Sequence, residues 1–475
     1  GFLFFPQSGS HMVASDDCSE DVPKMSEWES LVILIRGNLG PGCLNLPYAF
    51  ARTGWALGIG FMLVVSVQGM YCMWLLARCK EIVDDDRIRT FTDLAIYSMG
   101  LPGRLIVDIT LIAIQGGVCC VYVRLIATNV ATALRAAGFD VSDLAALVGA
   151  TVAFIPVSLF RFIAQLKCMS YLGNFSMLIA VFTVIVYSSM TIATEGTAGS
   201  MPASHRISDI FDCLSSLFFA FEGLGLVLPV ENGMRRPQYF PNIMFLGMGT
   251  LSLLFISVGA LASLAFPQIG TGSVTAFLVV ENSHWWFQFV NIAVSVAVFL
   301  TFPLQLFPAV EVVIDSLDRR RARHADHRPA SVVIEATTSE VAVENLHHPL
   351  NETSNCQNEQ VPVDDASEEV SSGGSPLMQW VCDKQNLVRV AAVLVCAGVA
   401  AAVDNVGLLV SLVGAVGQTG LVMLPSIIHL QLQRLGVLSA GRLSNLIDVV
   451  VLIFCLVVMF FGTVSAVSNI IDAQS

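Results

Sequence analysis

Ile35-Arg36-Gly37-Asn38-Leu39-Gly40-Pro41-Gly42 lies in the middle of an apolar stretch covering about residues 28–52. Three glycines and a proline fall within six residues of it. In a helix interior a glycine costs about 1 kcal/mol and a proline about 3. A continuous helix is therefore excluded, although the flanks are apolar enough to sit in lipid. A spanning helix unwound near its middle is what remains. The N–H and C=O groups freed there cannot be left to lipid, so they must face protein or a polar cavity. A half-helix N-terminus attracts a carboxylate and unwound carbonyls attract an ammonium, so a bound zwitterion suits such a break. Close helix packing is the other explanation of the same small residues.

The rest of the chain supplies the setting. Of its 475 residues 55% are hydrophobic and 13% charged, where a soluble domain carries about a quarter charged. Mean hydropathy is +0.72. Blocks such as Leu57–Leu76, Ile243–Phe266 and Leu446–Phe461 approach the ~20 apolar residues needed to cross a hydrocarbon core. Apolar runs without alternation select helices over barrel strands. The prediction is an all-α polytopic membrane protein with eleven transmembrane helices. They fall at 28–52, 54–78, 103–134, 142–160, 163–194, 208–231, 238–266, 284–316, 386–403, 406–430 and 443–469.

Orientation follows from the lysines and arginines of the connections. With the N-terminus in the cytosol, only Arg52, Arg135 and Arg206 of the 24 basic residues fall outside. Arg36 and Arg124 fall within spans, and the other nineteen lie on the cytoplasmic side. Trp28, Trp55, Trp285 and Trp286 sit at span ends, where amphipathic rings prefer to be. The expected organisation is a cytoplasmic tail over 1–26, helices one to eight in 27–316, and a cytoplasmic loop over 317–385. Helices nine to eleven follow in 386–470, with a tail over 471–475 on the far side. Nine acidic and no basic residues between Pro329 and Cys382 supply most of the net charge of −13 and mark the loop as polar and disordered. No basic face for nucleic acid appears. The twelve cysteines read as small packing residues, not as disulfides or zinc ligands.

A second break is expected in the sixth span, at Phe219-Ala220-Phe221-Glu222-Gly223-Leu224-Gly225. An ionisable side chain at mid-membrane costs about 2.5–3.5 kcal/mol on insertion scales, so it normally faces a cavity. Breaks in spans one and six are the pattern of five helices repeated with inverted topology, with substrate at the repeat interface. The candidate substrate-binding residues are Gly37, Asn38, Gly40, Gly42, Phe221 and Gly223. Glu222 is the candidate proton-coupling residue, because a carboxylate withdrawn from water favours its protonated form. A permanently hydrogen-bonded structural glutamate is the alternative, and an ion pair with Arg36 is a third arrangement. Arg124 could snorkel, line a vestibule or pair with an acid; Tyr122 could pack or gate. Gln115, Ser295, Thr301 and Gln418 carry no distinct signal.

The words around the first break are specific. Gly37-Asn38-Leu39-Gly40-Pro41-Gly42-Cys43-Leu44-Asn45-Leu46-Pro47-Tyr48-Ala49-Phe50, with Arg52-Thr53-Gly54-Trp55, resembles the amino acid/auxin permease family. The likeness is to its proton-coupled amino acid transporter and vacuolar amino acid exporter branches. Phe218–Gly223 with Val227–Asn232, Phe302–Ala309 and Leu409–Gly417 agree with it. The resemblance covers about 26–470 but not the acidic loop. It implies a 5+5 inverted repeat of the LeuT-like kind plus one extra helix, and proton-coupled transport of small neutral amino acids. It also implies a substrate site at Gly37–Gly42 and Phe221–Gly223. Ile33 stands where the plasma-membrane and lysosomal branch carries a functional histidine. That departure shifts weight to Glu222 and favours a vacuolar or lysosomal membrane, with the plasma membrane as the other candidate. Gly40-Pro41-Gly42 also departs, since the family usually has a non-proline residue between the glycines, and proline should stiffen the break. The expected partners are a small neutral amino acid, protons and the lipid bilayer, with no cofactor. The competing reading is an amino-acid sensor with little flux, signalling through its cytoplasmic parts. No HExxH, nucleotide loop or ring of like charges points to an enzyme or a channel.

Overall fold

A computed structural model of the chain describes residues 24–85, 88–159, 163–197, 206–326, 384–439 and 441–474. They are almost wholly helical: α1 (Glu27–Asn38), α2 (Leu46–Thr53), α3 (Trp55–Val83), α4 (Phe91–Met99), α5 (Leu101–Ala136), α6 (Asp143–Ser158), α7 (Ile163–Glu195) and α8 (Ile207–Ala220). They continue with α9 (Val227–Gly233), α10 (Phe240–Ala265), α11 (Val274–Glu281), α12 (Trp285–Asp326), α13 (Lys384–Ala402), α14 (Val406–Val413), α15 (Thr419–Arg434) and α16 (Arg442–Gln474). Among the described residues nine helical segments are long and apolar enough to cross a bilayer. They coincide with nine of the predicted spans. Of the other two, α6 is a shorter apolar helix and the first is divided into α1, a 3-10 turn at Pro41–Asn45 and α2. Large apolar side chains point outward, Leu253 at 69% exposure and Phe182 at 69%. No water-facing surface carries such a girdle, so the protein is an integral membrane protein.

The chain forms two compact units, Gly1–Val312 with Val388–Ser475, and Val313–Leu387. In the second, the loop expected from 317 begins as helix: α12 continues to Asp326, and Arg319 pairs with Asp315 one turn away at 2.9 Å. Most of the acidic loop, 327–383, lies outside the described residues.

Inside the first unit, small residues set how closely the spans approach. Phe50 of α2 is fully buried, and Gly58 of α3 and Gly259 of α10 lie directly against its ring. A methyl group at either glycine would come within 3 Å of that ring, so α2 is clamped between α3 and α10 by shape. The sixth span and the α14–α15 pair are the most enclosed, while α13 and α16 are peripheral.

Candidate functional site

α1 begins with a capping box, in which the Glu29 N–H donates to Ser26 Oγ and the Ser26 N–H to Glu29 Oε2 at 2.7 Å. It ends at Asn38. Leu39 leaves helical geometry with ψ 72, and Gly40 is extended before Pro41 opens the 3-10 turn. The sixth span breaks likewise: α8 stops at Ala220, Phe221 has ψ 69, and a 3-10 turn at Gly223–Leu226 leads into α9. Both breaks expected from the sequence are therefore present.

The groups they free meet protein. Asn38 stitches the two breaks together, donating from Nδ2 to Leu34 O at 2.9 Å and accepting at Oδ1 from the Gly223 N–H at 2.8 Å. The Phe221 carbonyl accepts from Gln418 Nε2 at 2.5 Å. Gln418 ends a π turn, Gly414–Gln418, between α14 and α15. That extra residue in the helix swings the amide onto the break. The turn packs closely on its neighbours: a side chain at Gly414 would run into Ser215 O, and one at Gly417 into the backbone of Ile114.

A cavity of about 850 Å³ lies against the breaks. Its mouth is ringed by Lys24, Lys80, Asp84 and Arg89, and its inner end by Gly40, Tyr122, Glu222 and Gln305. Leu111, Met177 and Val298 give it apolar walls. Gln305 Nε2 donates to Tyr122 Oη at 3.5 Å, and Tyr122, buried in the core, also lines this space. Of the predicted site residues, Gly37, Gly40 and Glu222 line the cavity. Asn38, Gly42, Phe221 and Gly223 do not: Asn38 and Gly223 hold the breaks together, and Gly42 packs on Phe219 and Ala220. Glu222 is half-buried and makes no hydrogen bond or ion pair among the described residues. The Arg36–Glu222 pair weighed from the sequence is thus not formed, although both residues line the cavity. A methyl group at Gly40 would lie 4.0 Å from Glu222 Oε2. Valine at Gly40 is expected to fill the approach to that carboxylate and block uptake without loss of folded protein, measured by uptake and size-exclusion profile together.

At the mouth, Lys80 Nζ reaches Asn232 Oδ1 at 2.5 Å and Glu231 Oε2 at 3.5 Å. Met25, just ahead of α1, forms a backbone bridge with the segment after α9: its N–H donates to Gly233 O at 2.7 Å and its carbonyl accepts from Arg235 N–H at 2.9 Å. At the opposite ends of the broken spans lies a charged cluster. Arg52 of α2 bonds Tyr48 Oη at 2.9 Å, pairs with Asp209 and approaches Asp212 at 3.6 Å. Asp212 also accepts from Ser411, Ser465 and Asn469. Arg124 chooses among its three readings by clasping the Asp404 carbonyl through Nε at 2.9 Å and Nη2 at 2.5 Å, with the Asp404 carboxylate at 3.4 Å.

Sequence reasoning missed Gln418 and Arg52. The glycines at 414 and 417 were the available sign of the first. The second stood out as one of three basic residues on the far side, but its partner Asp209 lies 157 residues away.

Apolar spans broken at facing points, with a largely apolar cavity that holds a few polar groups beside the breaks, are the build of a membrane carrier and not of an enzyme. The family model for transmembrane amino acid transporter proteins matches residues 23–468, and the chain belongs to that family. It is 29% identical over 312 residues to amino acid transporter AVT3C of Arabidopsis thaliana, covering 61% of this chain and 70% of that protein. Vacuolar amino acid transporter 4 of Saccharomyces cerevisiae is 29% identical over 289 residues, 59% of this chain and 40% of that one. Vacuolar amino acid transporter 3 of Schizosaccharomyces pombe is 25% identical over 303 residues, 63% and 44%. The chain spans less than half the length of these two yeast proteins.

Proposed function

We propose that the chain is a secondary active transporter that moves small neutral L-amino acids, coupled to protons, by alternating access. The observation that carries this reading is Glu222, a carboxylate with no hydrogen-bond or ion-pair partner among the described residues, at the inner end of the cavity beside two unwound helices. A zwitterion with an apolar side chain suits apolar walls that converge on a few polar groups. Protonation of Glu222 would remove its charge as the cavity closes, and that links proton and substrate. The same reading makes Gly37–Gly42 and Phe221–Gly223 the substrate site, with Asn38 and Gly223 shaping it and not touching substrate. It treats spans one to five and six to ten as an inverted repeat. The names of the yeast relatives favour a vacuolar membrane, with the N-terminus in the cytosol.

The test is uptake of radiolabelled alanine and proline into proteoliposomes with and without an imposed pH gradient, for the natural chain and for Glu222→Gln. Gradient-driven uptake that becomes gradient-independent or disappears in Glu222→Gln is the expected result. Uptake indifferent to pH would remove Glu222 as the proton site. Binding of amino acids with no uptake of any would favour the sensor.

A further inference from the structure

Away from the cavity, α3, α15 and α16 enclose a second set of titratable side chains. His429 of α15 is 4% exposed and Asp448 of α16 is fully buried. His429 Nδ1 lies 2.5 Å from Asp448 Oδ2, and Tyr71 Oη of α3 donates to Asp448 Oδ1 at 2.8 Å. Gln433, one turn further along α15, sits 3.2 Å from Nδ1 and 3.5 Å from Nε2. None of His429, Asp448 and Tyr71 lines the cavity.

Charge accounting at this spot gives one answer. Among the described residues no lysine or arginine pairs with Asp448. The nearby groups on α3 are the phenol Tyr71 and the thiols Cys72 and Cys79. On α4, Asp93 is occupied in capping its own helix. On α5, Arg104 reaches Asp108 at 3.7 Å. Arg434 closes the last turn of α15 itself. An aspartate anion taken out of water and left uncompensated is costly by several kcal/mol. One proton held between the imidazole and the carboxylate makes the pair neutral. No proton leaves a buried net negative charge and two leave a net positive one. The pair thus differs by one unit of charge with each proton it gains or loses, and half-buried Gln433 stands beside it on the side of the helix end.

α15 gives this pair a route to the transport site. Its first residue follows Gln418, whose amide holds the Phe221 carbonyl at the sixth-span break. His429 lies ten residues, about 15 Å at 1.5 Å per residue, from the start of this helix, and Pro425 stands between them. The helix bends at the proline, and a tilt of the His429 segment about that bend is what reaches the break.

We propose that His429 and Asp448 form a proton-binding site, separate from Glu222, whose occupancy is read at the broken sixth span through α15. The effect on uptake rests on the transport reading above; the protonation of the pair does not. The first measurement is initial uptake of alanine at matched internal and external pH, from about pH 5 to about pH 8, the window in which histidine titrates. His429→Gln is expected to lose the pH dependence of the rate, and Glu222→Gln to keep it in whatever uptake remains. His429→Gln/Asp448→Asn replaces both groups by neutral amides and serves if the single variant fails to fold. The second measurement is the 15N spectrum of histidine-labelled protein in nanodiscs, with no substrate. One signal, absent from His429→Gln, should move across that pH range and lose the movement in Asp448→Asn. A His429 signal fixed over the range makes the pair purely structural and overturns the proposal, as does an unchanged pH profile in both uptake variants. A natural chain that moves no amino acid overturns the transport reading instead, and the spectra then decide the pair alone.

Discussion

Alanine at Gly223 is expected to abolish uptake while the protein still reaches the membrane. A methyl group there would fall on the amide of Asn38, the side chain that accepts from the Gly223 N–H. Asn38 must then leave, and it takes both of its bonds with it. Overpacking costs about 1–3 kcal/mol, and an unpaired buried N–H about 1–3 more. Both fall on the point where the two broken helices meet. Gly225, two residues on, is the control: a methyl group there has nothing within 4 Å, so Gly225→Ala should transport like the natural chain. Uptake by Gly223→Ala equal to that of Gly225→Ala would show that the crossing is not needed.

The second large effect belongs to Arg52. Its guanidinium serves Asp209 and Asp212 together, and the side chains of these acids are 11% and 5% exposed. Breaking a buried pair by removing one partner costs about 3–5 kcal/mol, because the opposite charge stays behind. Arg52→Ala should therefore melt well below the natural chain in detergent and lose most of its uptake. Adding Asp209→Asn, which removes one of the stranded charges, should recover part of the melting temperature. If Arg52→Ala melts with the natural chain, the cluster does not stabilise this face. If the second substitution recovers nothing, charge is not what the cluster contributes.

Much of the fold was legible because its signals are local. Length and apolarity located the spans, and the cost of Gly37, Gly40, Pro41 and Gly42 in one helix located the first break without reference to any neighbour. Glu222 marked the second in the same way. What stayed hidden depends on residues far apart in the chain. The freed backbone groups read as sites for a zwitterion, yet Asn38 and Gln418 occupy two of them. Gln418 gave no sign of this, since its aim comes from a π turn whose Gly414 and Gly417 pack on two other helices. Arg36 and Glu222 invited pairing as opposite charges near facing breaks, but both turn to the same cavity without meeting there. The Arg52 cluster joins residues of four helices far apart in the chain, and the His429–Asp448 pair is completed by Tyr71, 377 residues from Asp448.

The bridge at Met25 has a mechanical consequence. α1 is pinned to the chain around α9 at both extremities, by Met25 against Gly233 and Arg235 and by Asn38 against Gly223. A rod fastened at two points to another rod cannot hinge away from it; the two tilt as one lever. Widening the passage on this face by swinging α1 alone would first have to unzip the pair of backbone bonds at Met25. With those bonds intact, a pull on Met25 is delivered to both unwound segments together.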